Sequence, residues 1–114
     1  GLYIYQASDH SLQLVIAEDI RDKTGTQSFV GHVPINLVYV ADYSRMGTAP
    51  TEKKDFYSAA DTGFIGQNVY LYCASEGLAT VVRASIDKPT LTKAMKLRPD
   101  QKIILAQSVG YPID

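Results

Sequence analysis

At 114 residues the chain is long enough to bury a core and too short to divide into two domains, and 46% hydrophobic with 20% charged residues excludes a disordered or fibrous chain. Its 11 basic and 12 acidic residues are interspersed, with net charge -1, so no basic stripe suits nucleic acid. The most apolar stretch, Gly63 to Ala74, carries Gln67 and Asn68 and is shorter than the roughly 20 residues a bilayer-spanning helix needs; the lone Cys73 rules out an intramolecular disulfide framework.

Leu2–Tyr5 and Leu12–Val15 are β-favouring runs separated by the turn formers Ser8-Asp9-His10-Ser11, which predicts a hairpin. The chain enters this run directly at Gly1, so the natural start is expected upstream. Glu18 to Thr24 is predicted as a short amphipathic helix with Gly25 at C′. Pro34 to Ala41 is a nearly continuous apolar run, which predicts a strand buried on both faces at the centre of a sheet.

Thr51 to Glu76 is the dominant element, a helix of about seven turns with Thr51 as N-cap and Gly77 at C′. From Thr62 to Ser75 it carries no charge while Phe64, Ile65, Tyr70, Leu71 and Tyr72 point in several directions, so this part is expected to be enclosed on most sides. Gly63 and Gly66, three residues apart, each cost about 1 kcal/mol relative to Ala, which predicts a close packing contact on their face. Leu78 to Ala84 follows as a buried strand. Asp87-Lys88-Pro89 then caps a short helix in which Leu91, Ala94 and Met95 share a face, and Lys102 to Val109 gives a last strand closed by Gly110 and Pro112. The order β-β-α-β-α-β-α-β defines an α+β domain.

Chemistry is sparse. His10 and His32 lie in separate turn-like stretches without a ligand pattern, so no metal site is expected. Cys73 has no base or cation beside it in sequence and reads as a small hydrophobe. Asp42, Asp61 and Glu76 form no acid–base pair, and no glycine-rich phosphate loop exists, so the residues themselves name no catalytic group. Tyr70 and Tyr72 read as core residues whose hydroxyls find partners.

The run Asp61 to Thr80, with Gln67-Asn68 and Gly77-Leu78-Ala79-Thr80, followed later by Gly110-Tyr111-Pro112, resembles the long helix, following strand and chain end of nitroreductase-family flavoproteins. The three signals fall in family order. The resemblance implies an α+β fold with a central mixed sheet flanked by helices, of which residues 1–114 are the C-terminal half of one domain. It further implies a cytoplasmic homodimer that holds FMN at its interface, takes electrons from NAD(P)H and passes them to nitroaromatics, quinones or similar acceptors; the cofactor then carries the redox step. Family contacts to the flavin ring map onto Val82, Arg83, Ala84 and Ser85, with backbone N–H groups there at the ring edge. Arg83 departs from the family's usual apolar residue and reads equally as a strand-end surface charge. The family's N-terminal Arg-rich phosphate motif and the basic residue beyond Gly-Tyr-Pro have no counterpart before the sequence ends at Ile113-Asp114, so FMN binding by this chain is expected to be weak or absent. The alternative is a non-catalytic flavin or small-ligand binding fragment, or a dimerisation fragment.

Overall fold

The two β-favouring runs of the opening residues, separated by turn formers, produce the expected hairpin in the computed structural model, which describes residues 1–113; Asp114 lies outside the described residues. Strand β1 (Leu2–Gln6) pairs antiparallel with β2 (Ser11–Ile16), and His10 takes the left-handed conformation (φ 54) in the turn, its Nδ1 2.8 Å from the Tyr5 hydroxyl. Strand β3 (Ile35–Asp42) leads into helix α1 (Thr51–Glu76), β4 (Ala79–Arg83), helix α2 (Lys88–Ala94) and β5 (Gln101–Gly110).

The second sheet has the order β3-β5-β4. The apolar run at 34–41 is therefore an edge strand, against expectation, and β5 holds the centre. The expected mixed sheet is antiparallel throughout the described pairings. The crossover through α1 does return β4 in the same direction as β3, but β5 inserts between them and runs against both.

A bulge sets the two faces of this sheet. Tyr39 pairs with Leu105 and Val40 with Ile103, which leaves Ile104 as the extra residue and shifts the side-chain phase of β5 by one. Gln107, Leu105 and Tyr39 consequently face α1. Ser108, Ala106 and Ile103 face the other side, with Asn36, Val38 and Val40 from β3.

That other side holds the apolar core: Ile20, Leu91, Met95 and Ile103, packed by Val38, Val40, Ile86 and Leu97. Asp87 caps α2 as expected, its carboxylate accepting from the Thr90 N–H at 3.2 Å. The helix predicted over Glu18–Thr24 reduces to a single 3-10 turn, Arg21–Lys23. Asp19 spends its carboxylate on the Arg21 backbone N–H and guanidinium, an Asx-type turn that competes with helix, while Ile20 drops into the core. Gly25 is not a left-handed cap either; positive φ among the glycines belongs to Gly47 and Gly77.

Helix α1 has the expected length. Pro50 rather than Thr51 sits at its N-cap, and Gly77 (φ 68) ends it with the Leu78 N–H donating to the Cys73 carbonyl at 2.8 Å. Its buried residues Ser58, Thr62, Gly66 and Cys73 form one narrow stripe against the sheet. The enclosure expected of residues 62–75 is not found: Phe64 is 73% exposed, and Ile65, Leu71 and Tyr72 are exposed with it. One sheet layer covers one stripe of a helix, and among the described residues no element packs on the opposite side of α1.

Candidate functional site

The turn Gly77-Leu78 feeds β4 along the outer edge of the sheet, so every second backbone N–H of β4 points away from β5. At Val82 that outward N–H donates to the Tyr70 hydroxyl of α1 at 2.7 Å. Tyr70 thus finds the polar partner expected of it, and α1 is tied to the strand end. A Cβ placed on Gly66 would stand 3.3 Å from Val82 Cγ2 and 3.5 Å from Gln107 Oε1, so the close contact expected of the glycine pair exists at Gly66. Gly63 faces open space. Beside this contact the Tyr39 hydroxyl donates to Gln107 Oε1 at 2.5 Å, and Gln107 Nε2 donates to the Gly66 carbonyl at 3.3 Å. Burial holds the Tyr39 hydroxyl above its ordinary pKa.

Arg83 turns to the opposite face and is 3% exposed, which excludes a strand-end surface charge. Its five N–H donors meet five neutral acceptors. Nε donates to Ser108 Oγ (2.8 Å), Nη1 to the Thr24 carbonyl (2.8 Å) and Gln27 Oε1 (3.5 Å), and Nη2 to Asn36 Oδ1 (2.9 Å) and Thr24 Oγ1 (3.3 Å). Desolvation lowers the Arg83 pKa, but guanidinium stays charged at any physiological pH. Gly25 is explained here, because a Cβ on it would fall 2.0 Å from Arg83 Nη1.

Ala84 and Ser85 emerge exposed past the end of β4. The Ser85 carbonyl accepts from the Thr26 N–H at 3.0 Å, and their hydroxyls lie 2.5 Å apart. Residues 82–85 are thus brought together with Thr24–Gln27, which sequence reasoning did not connect to them. The small polar triplet Thr24-Gly25-Thr26 is the available signal, of which Thr24 and Gly25 fall at the end of the helix predicted over Glu18–Thr24.

A second feature, a groove of about 350 Å³ between β3 and α1, is lined by Val40, Asp42, Met46, Asp61 and Ile65. Asp42 is occupied there: hydrogen bonds from Ser44 and then the Arg98 guanidinium at 2.8 Å hold its carboxyl below the ordinary range. Cys73 is buried, as expected of a small hydrophobe. Among the described residues no helix is long and apolar enough to cross a membrane.

A long helix laid across an antiparallel sheet and tied to its edge strand defines an α+β fold. The sequence model of the Nitroreductase family matches residues 4–111, and the chain belongs to that family. Over its whole length it is 26% identical to a protein of Methanocaldococcus jannaschii assigned by name to the nitroreductases, of which it covers 59%. A solved Ralstonia eutropha structure, likewise assigned by name, superposes on all of the chain with a TM-score of 0.92 and 42% identity, over 54% of its own length. A nitroreductase family protein of Streptococcus pneumoniae matches 89% of the chain (68% of its own) with a TM-score of 0.72 at 13% identity, a likeness of fold. The chain therefore spans little more than half the length of the first two relatives.

Proposed function

We propose that this chain is part of an FMN-dependent NAD(P)H oxidoreductase that reduces nitroaromatics, quinones or similar electron-poor acceptors. Bound FMN supplies the redox chemistry; the chain's share is to hold and orient one edge of the ring. The observation that carries the reading is the exposed, rigidly tied end of β4 in a nitroreductase-family fold.

Of Val82, Arg83, Ala84 and Ser85, the exposed Ala84 and Ser85 suit a ring edge, whereas the Val82 N–H is taken by the Tyr70 hydroxyl and the Arg83 side chain is buried on the other face. Ala84 offers backbone with only a methyl in the way, while Tyr70 and Thr26 fix the segment on either side of it. They do not fit a phosphate, since the one cation among them, Arg83, is buried and has its donors filled. The exposed apolar side of α1, with Phe64, Leu71 and Tyr72, supports a homodimer formed across that helix.

Titration of the chain with FMN and with riboflavin by fluorescence quenching tests the ring-edge reading. Similar affinities are expected, because Arg83, the cation beside Ala84 and Ser85, is buried with its donors filled and offers the FMN phosphate none of the charge-assisted bonds that are each worth roughly 1.5–3 kcal/mol. Submicromolar FMN affinity with clear preference over riboflavin would overturn this account of the site. Bleaching of the bound flavin by NAD(P)H separates an oxidoreductase from a binding fragment, and light scattering at micromolar concentration tests the dimer.

A further inference from the structure

A buried guanidinium surrounded only by neutral acceptors is unusual, because desolvating an ion is costly and is ordinarily offset by a carboxylate. Around Arg83 the acceptors are two Thr24 oxygens and the side chains of Gln27, Asn36 and Ser108, and none carries a formal charge. Its one salt-free cage gathers three separate parts of the chain: the Thr24–Gln27 segment, β3 and β5. The glycine at 25 is the condition for this, since any side chain there would displace Nη1. The residues that follow Arg83 are held by the same segment, through the Thr26–Ser85 pair. The cage therefore fixes the backbone at 82–85 and leaves a full positive charge beneath it.

We infer that Arg83 is a positioning residue that locks the Thr24–Gln27 segment onto the end of β4 and places an uncompensated positive charge under whatever ring is bound there. This rests on the reading of Ala84 and Ser85 as the flavin ring edge. Reduced flavin carries more negative charge than oxidised flavin, so a fixed cation nearby favours the reduced form. A neutral residue could fill the same volume; the charge is what the arrangement adds.

The test uses Arg83→Lys, which keeps a charge but loses the planar five-donor fork, and Arg83→Gln, which loses the charge. Affinities for oxidised and for chemically reduced FMN are measured anaerobically on the full chain, and their ratio is compared. The ratio should stay near wild type in Arg83→Lys and shift several-fold against the reduced form in Arg83→Gln. Equal ratios in wild type and Arg83→Gln would overturn the electrostatic role. In flavin-free protein, amide exchange at Thr26 should quicken in both variants while exchange along α1 stays unchanged. A wild-type Thr26 rate in either variant would overturn the anchoring role. If the wild-type chain binds neither FMN nor riboflavin in either redox form, the ring-edge reading itself fails, and the exchange measurement still decides whether Arg83 anchors the segment.

Discussion

Replacing Gly66 by Leu puts a side chain where the contact between α1 and the sheet leaves no room. The Cβ alone would press on Val82 Cγ2 at 3.3 Å, tighter than ordinary van der Waals contact, and three further carbons must enter the space held by Val82 and Gln107. Overpacking of this kind costs about 1–3 kcal/mol. Displacing Gln107 also forfeits its hydrogen bond to the Gly66 carbonyl, worth about 1 kcal/mol, while Leu regains about 0.8 kcal/mol of helix propensity over Gly. The net expectation is a loss of about 1–3 kcal/mol. Gly66→Ala should come out within about 1 kcal/mol of wild type, because the helix gain offsets a squeeze that Val82 can relieve by small shifts. Urea unfolding followed by circular dichroism measures both, with an unchanged m-value as the check that the same transition is compared. A Gly66→Leu protein as stable as wild type would refute the close approach and, with it, the docking of α1 on Val82 and Gln107.

Gly25→Ala should cost stability of about 1–3 kcal/mol in the same assay, because the new methyl expels Arg83 Nη1 from the Thr24 carbonyl and leaves a buried donor unpaired; a neutral result would mean the cage is loose. Tyr70→Phe should cost about 1–2 kcal/mol and speed amide exchange at Val82, whose N–H loses its acceptor. On acidification, the Asp19 carboxyl should titrate at about 2, held down first by hydrogen bonds from the Arg21 side chain and then by the Arg21 backbone N–H. A depressed folded-state value means that its contribution is present above the unfolded carboxylate range near 4 and is lost as pH falls from there through 2. An Asp19 titration near 4, read by NMR, would show that this pairing is not formed in solution.

Much of the chain was legible in its residues because the signals there are local. Gly77 can end a helix by itself, Asp87 and Pro89 can begin one, and two β-favouring runs around the turn formers at 8–11 suffice for a hairpin. Gln67-Asn68 and Gly77-Leu78-Ala79-Thr80 carried the family for the same reason, since their spacing survives without knowledge of neighbours. What failed depended on partners far away in sequence. The apolar run at 34–41 reads as central, yet centrality belongs to whichever strand is inserted between two others, and that is β5. The uncharged stretch of α1 implied a covering layer, but only the tertiary arrangement shows one stripe against the sheet and the rest open within this chain. Arg83 shows the division most clearly. Sequence alone could mark it as a departure from an apolar position, while its burial, its five neutral acceptors and the need for glycine at 25 arise from contacts up to 59 residues distant. A side chain's own chemistry fixes what it can bond to, but the folded backbone decides which acceptors come within about 3 Å of it.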